Sequence, residues 1–389
     1  MSRSRRRALG VAAACGLALV LVPAAVPPAQ ATPTAPVGGP RLGSTGLVLA
    51  PGVKPPPNVG ASWVAVDLDT GVIFGAKGPH VLERPASTLK TLTALVLLPI
   101  LDPKTVYTAT DADVRMQGTR VGMVAGATYT VDQLFQAMLL PSANDASHGL
   151  EMVAGGTART VALMTAEARY LQADDTTIKD PSGLDTKGQW SSAYDLALFG
   201  RAAMQLPAFR AYVIIPRSTF PGRPPKTVGK PRSTFVIENK NRLVLSGYPG
   251  IVGVKTGYTT EAGNTFIGMA TRGGHTLMIT LLHTTGNGVK SEIRLFDWAW
   301  ANYRTAGAVG TLVEPLPPPS PSAQPAASTV VHARSAAGSA GVSATSTLMW
   351  LAGAAGAAAL ALASAAVVRS SRRRRRTISP LGLAPIRRR

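Results

Sequence analysis

Residues 62–77, SWVAVDLDTGVIFGAK, carry apolar side chains at alternating positions on either side of Asp69-Thr70-Gly71. Alternation is the period of a strand and the polar break is turn chemistry, so the segment predicts a β-hairpin. The period then changes. Pro85 stands just ahead of a run of good helix formers, ASTLKTLTALVLL, which places a helix start near Ala86 or Ser87. Further along, GIVGVKTGYTTEAG opens as a Val-rich strand ending near Lys255, and NTFIGMATR and HTLMITLLHT read as strands separated by Gly273-Gly274. GVKSEIRLFDWAWANY follows as an amphipathic helix with Ile293, Phe296, Trp300 and Tyr303 on one side.

The two ends follow another pattern. Residues 1–31 combine a basic start (Arg3, Arg5, Arg6, Arg7), an apolar run and the small-x-small sequence Ala29-Gln30-Ala31, the layout of a secretory signal peptide. The alternative is an uncleaved N-terminal anchor, but the apolar run is shorter than the ~20 residues that a span needs. Cys15 is the sole cysteine and lies inside this leader, so the mature chain has neither disulfides nor thiol catalysis. Residues 347–368 form a 22-residue stretch without a charge, followed by Arg369 and an arginine run from Arg372 to Arg376. That layout predicts a transmembrane helix with a basic cytoplasmic tail over 369–389 and everything upstream outside the cell. Composition predicts a flexible Gly/Pro-rich segment over 32–58, one folded domain over 59–306, and a Pro/Ala/Ser-rich linker over 307–346.

This partition explains the net charge of +20, of which thirteen basic residues lie in the two ends. The remaining +7 does not call for nucleic acid. Part of it is local, because Arg217, Arg223, Lys226, Lys230 and Arg232 crowd a Pro-rich loop, which reads as solvated or as touching anionic wall polymer.

One hydroxyl and one ammonium, Ser87 and Lys90, stand at the head of the apolar helix. Residues three apart share a helix face, so the two groups meet at its positive end. A serine hydroxyl needs a neighbouring base to attack a carbonyl, and lysine is a base only when neutral. Burial and a second cation both lower its reference pKa of ~10.4. Ser-x-x-Lys also arises as an N-cap serine before a surface lysine. Lys90, however, is the only one of eleven lysines with a serine three residues before it, and the helix that follows is too apolar for a surface. Two more segments carry chemistry: Ser142-Ala143-Asn144 in LLPSANDAS, and Lys255-Thr256-Gly257. Singly, these read as loop, cap or strand-end residues. In this order, Ser-x-x-Lys, Ser-x-Asn and Lys-Thr-Gly form the active-site set of penicillin-binding proteins and class A beta-lactamases.

The chain resembles low-molecular-mass penicillin-binding proteins of the serine-type D-alanyl-D-alanine carboxypeptidase family over nearly all of residues 61–302. Flanking patterns recur with the triplets: ASTLKTLTAL, DPSGLDTKGQWSSAYDLALFG, ENKNRLV and YPGIVGVKTGYTTEAG. Many relatives carry a second, β-rich domain where the Pro-rich spacer begins here. The resemblance implies an α+β fold of the beta-lactamase/transpeptidase type, a five-stranded antiparallel sheet flanked by helices with an all-helical region inserted between the second and third strands. It implies Ser87 as nucleophile, Lys90 as general base, Ser142 as a proton relay bridging two lysines, and Asn144 as a positioning residue. Lys255, Thr256, Gly257, Tyr258 and Thr259 become substrate-binding residues, with a charged Lys255 and Thr256 holding the terminal carboxylate and the amides of Ser87 and Tyr258 holding the oxyanion. The implied partners are a peptidoglycan stem peptide ending in D-Ala-D-Ala, beta-lactam antibiotics and, through the C-terminal helix, the cell membrane. A beta-lactamase is the nearest alternative, but Glu151, Glu167 and Glu238 do not lie in the Glu-x-x-x-Asn pattern it needs. A metallopeptidase is disfavoured because His80, His148, His275, His283 and His332 form no His-Glu-x-x-His pair, and no metal or cofactor is expected. A non-catalytic wall-binding protein is the alternative from another class, set against the complete catalytic set.

Overall fold

The computed structural model describes residues 35–227 and 229–317. The segments read as signal peptide, spanning helix and basic tail, and most of the linker, lie outside these residues. Among the described residues no helix is long and apolar enough to cross a membrane.

In chain order the elements are β1 (Leu47–Leu49), β2 (Ser62–Asp67), β3 (Val72–Lys77), α1 (Lys90–Leu97), β4 (Val106–Thr108), α2 (Asp111–Val114), β5 (Thr128–Thr130), α3 (Val131–Leu139), α4 (Asn144–Val153) and α5 (Thr157–Tyr170). They continue with α6 (Ala193–Ala203), α7 (Pro207–Val213), β6 (Arg217–Pro221), β7 (Thr234–Glu238), α8 (Arg242–Ser246), β8 (Ile251–Thr259), β9 (Gly263–Arg272), β10 (His275–Thr284), α9 (Gly288–Asn302) and β11 (Gly310–Thr311). The main sheet is antiparallel and runs β1-β3-β2-β10-β9-β8, with β11 also on β3. The five expected strands, β2, β3, β8, β9 and β10, form its body.

Alternation along the strands buries both faces. Trp63 and Ala65 of β2 join the cluster under α9, and Val64 and Val66 join the larger cluster under the inserted helices. Trp298 of α9 sits against Trp63 and stacks on Phe74 at 5.9 Å between ring centroids.

Four expectations need correction. The insertion between β3 and β8 is not all-helical: it holds α1 to α8 and also two ribbons, β4 with β5 and β6 with β7. Residues 32–58 are not flexible throughout, because β1 pairs with β3 and Leu42 and Val48 are buried. The folded unit likewise runs past residue 306, where β11 pairs with Val72 and Ile73 of β3, and Val309 and Leu312 are buried. A few apolar residues inside Gly/Pro-rich stretches suffice to add short strands, and averaged composition hides them. On α9 the fully buried stripe is Leu295, Phe296, Trp298 and Ala299, while Ile293, Trp300 and Tyr303 only flank it.

Candidate active site

Ser87 is the second residue of a 3-10 turn, Ala86–Leu89, that runs directly into α1. A 3-10 turn has three residues per revolution, so Lys90 at the head of α1 eclipses Ser87 and its Nζ lies 3.0 Å from Ser87 Oγ. Ala86 has φ 47°, a left-handed conformation that a non-glycine residue adopts only when its surroundings impose it. Gly183, itself at φ 81°, packs so closely that a Cβ there would lie 2.0 Å from the Ala86 carbonyl oxygen. On the other side, a Cβ on Gly257 of β8 would lie 2.8 Å from the Ser87 amide nitrogen. The Ser87 turn is thus clamped between two glycines, and Thr265 of β9 donates to Pro85 O at 2.9 Å.

Ser142 precedes α4 in a left-handed conformation, φ 67°. Asn144 opens α4, and its Oδ1 accepts from Lys90 Nζ at 2.6 Å while its Nδ2 donates to Gln117 O at 2.7 Å. Asp145, the next residue, accepts from the backbone amides of Val121, Gly122 and Met123 at 2.9 to 3.0 Å and ties the 117–123 loop to α4. Asp180 accepts from the amide and hydroxyl of Ser182, and that loop turns the Ser182 carbonyl onto Lys90 Nζ.

Lys90 therefore has three partners: two pure acceptors, Asn144 Oδ1 and Ser182 O, and the Ser87 hydroxyl. A neutral amine has two N–H donors and one lone pair, which matches this set, the lone pair accepting from Ser87. Burial lowers the Lys90 pKa to about 7, against the opposing pull of Asp180 and Glu151. Lys255 is also buried, and its Nζ reaches Ser142 Oγ at 3.1 Å and Thr256 O at 2.8 Å. Burial first, then the Lys90 and Lys240 charges, hold it well below the ordinary lysine range. A permanently charged Lys255 is therefore not what the free site favours; an arriving carboxylate supplies the counter-charge that restores its proton.

Ser87, Ser142, Thr256, Gly257 and Tyr258 line one cleft of about 530 Å³ at the β8 edge of the sheet. Lys90, Asn144 and Lys255 stand behind its wall. Two expectations are not met in the free site. Ser142 contacts Lys255 but makes no hydrogen bond to Lys90, and the Thr259 hydroxyl donates to Asp185 at 2.9 Å and does not line the cleft. Sequence reasoning left Asp180, Ser182, Lys240, Arg242 and Glu292 without roles; the first four lie in the quoted flanking patterns, whereas Glu292 carries no local signal. Of the histidines, His80, His148, His275 and His283 each face a single carboxylate, and His332 lies outside the described residues.

The family described as D-alanyl-D-alanine carboxypeptidase, peptidase S11, matches residues 52–285. The chain belongs to this family. Among S11 relatives it is 37% identical over 262 residues to the D-alanyl-D-alanine carboxypeptidase DacB2 of Mycobacterium tuberculosis, covering 64% of this chain and 85% of that protein. To DacF of Bacillus subtilis it is 27% identical, and it spans 63% of that protein's length. Among solved structures, a D-alanyl-D-alanine carboxypeptidase from M. tuberculosis superposes with TM-score 0.62 at 37% identity, over 68% of this chain and all of the other. The Streptomyces K15 DD-transpeptidase gives TM-score 0.60 at 26% identity, over 64% of this chain and all of the other. The S11 match ends before α9, so Glu292 lies beyond it.

Proposed function

We propose that this carboxypeptidase removes the terminal D-alanine from peptidoglycan stem peptides through an acyl-enzyme on Ser87. The observation that carries this reading is the Lys90 amine, satisfied in its neutral form and 3.0 Å from the only serine hydroxyl it touches. Ser87 Oγ adds to the carbonyl carbon of the penultimate D-alanine as its proton passes to Lys90 Nζ. The amides of Ser87 and Tyr258 receive the oxyanion, and the close approach at Gly257 makes room for it. As the C–N bond breaks, the leaving nitrogen takes a proton through Ser142 Oγ, backed by Lys255 Nζ. Lys255 and Thr256 hold the terminal carboxylate, which restricts cleavage to the end of a chain. Water then adds to the ester and releases the shortened peptide and free Ser87. Penicillins offer a strained amide and a carboxylate to the same groups, and the resulting ester persists.

Purified protein treated with benzylpenicillin should gain the mass of one intact drug molecule, mapped to Ser87 by peptide mass spectrometry. Absence of that adduct on a folded protein would sink the reading. The leader over 1–31 and the uncharged stretch over 347–368 with its following arginines support export and single-pass anchoring, the catalytic unit facing the wall.

A further inference from the structure

Glu292 lies one turn into α9 and is only 5% exposed, yet its side chain lines the cleft with Val289, Asn264, Thr265 and Ser87. Its Oε2 has no hydrogen-bond partner. Five other buried side-chain groups among the described residues lack partners, on Ser62, Arg84, Thr91, Asn241 and Trp300, and none of these residues lines the cleft. A carboxyl removed from water without a partner is unfavourable, so its retention beside a cleft calls for an explanation. Glu292 neither caps a helix nor pairs with a cation, so the fold itself gives it no employment.

The other charges at the cleft divide its wall into two chemistries. Lys240 and Arg242 line the part of the wall suited to carboxylates, with Lys255 behind to regain its proton when one arrives. Glu238 is the only other acid in the lining, and it is already held by Arg217 at 2.7 Å. Glu292 is thus the sole acid lining the cleft that has no cation of its own. A neutral donor such as an amide would be met equally by a glutamine at this position. What specifically needs a carboxyl in a desolvated wall is a group that brings a positive charge.

We propose that Glu292 is a specificity-determining residue that receives a side-chain ammonium on the acyl portion of the substrate, so that the cleft selects stem peptides with a free amine on a diamino acid near the scissile bond. This rests on the carboxypeptidase reading above and deepens it. In the free cleft, burial alone pushes the Glu292 carboxyl up to about 8, so it waits largely protonated and ionises when the ammonium docks.

The test uses the full chain and two tripeptides, Nα-acetyl-Lys-D-Ala-D-Ala with the side-chain amine free, and the same peptide with that amine acetylated. Unmodified protein should favour the free amine by about tenfold in kcat/KM, expressed mainly in KM, as a charge-assisted contact made in both ground and transition states requires. Glu292→Gln should bring the ratio to about one while changing the acetylated peptide by less than about threefold. Penicillin labelling of Ser87 reports that the variant is folded, and Glu292→Met, of similar volume, serves if the glutamine variant does not label. Equal cleavage of both peptides by unmodified protein, or a preference that survives in a labelled variant, would overturn this assignment alone. Cleavage of neither peptide would overturn the carboxypeptidase reading, and this assignment with it.

Discussion

Lys90 and Lys255 are both buried, yet chemistry asks opposite things of them. The base form of Lys90 is the free amine, and its pKa is lowered to about 7, so the neutral fraction falls tenfold for each pH unit below that point and saturates above it. Acylation of Ser87 by penicillin, followed by rapid quench, should therefore rise with pH through about 7 and then level. A rate still climbing towards pH ~10 would mean that Lys90 keeps an ordinary lysine pKa. Lys90→Ala should slow acylation by roughly 100 to 10,000-fold, the usual contribution of a positioned base. Lys255→Ala should act differently, because it removes the carboxylate contact. Hydrolysis of a D-Ala-D-Ala peptide should drop far more than reaction with an activated thioester that lacks the terminal carboxylate, and equal losses would remove Lys255 from that role. The candidate groups of the cleft were legible because each triplet sets its own members within three positions of one another on a short element, although the three triplets meet only across 54 or more residues of chain. The Ser182 carbonyl and the Asp145 clasp were not, because they act across 92 and 22 to 24 residues of chain, and neither was the Glu292 carboxyl, since any carboxylate or carbonyl looks alike until the fold brings it somewhere.

At the scale of elements, α4 carries most of the precision of the site. Its first residues hold Lys90 through Asn144 and gather the 117–123 loop through the three amides bound by Asp145. Asp145→Ala would leave the buried Met123 amide without a partner, while those of Val121 and Gly122 lie nearer to water, so a loss of about 1 to 3 kcal/mol in urea unfolding is expected. Acylation should slow as well, since Asn144 N donates to Thr119 O of the same loop at 2.7 Å. Unchanged stability would mean that the loop is held by other contacts. The period-two strands and the start of α1 were readable because both depend on local alternation and on Pro85. The buried face of α9 was not: that helix is apolar over more than one stripe, and the choice among stripes is made by Trp63 and Phe74, more than 200 residues earlier, against which Trp298 packs. The ribbon of β6 and β7 escaped notice because RSTFP and TFVIE show no clean apolar alternation and flank a connection rich in proline and basic residues.

For the whole molecule, the proposed anchoring predicts a simple fractionation. Deleting residues 347–389 should release active, penicillin-labelled protein into the medium, whereas activity retained in washed membranes would point to an uncleaved leader. The domain's two ends meet on a single strand: β1 covers Gly75 to Lys77 of β3, and β11 covers Val72 and Ile73, end to end along one side. Without them, β3 would show a row of unpaired amides and carbonyls flanked by apolar side chains, an open template for a second copy. A shortened protein spanning residues 59–306 should therefore keep every catalytic group and still self-associate in light scattering, where the span 35–317 stays monodisperse. What composition marks as spacer at either end acts, for a few residues, as the selvage that keeps the sheet from fraying into its neighbours.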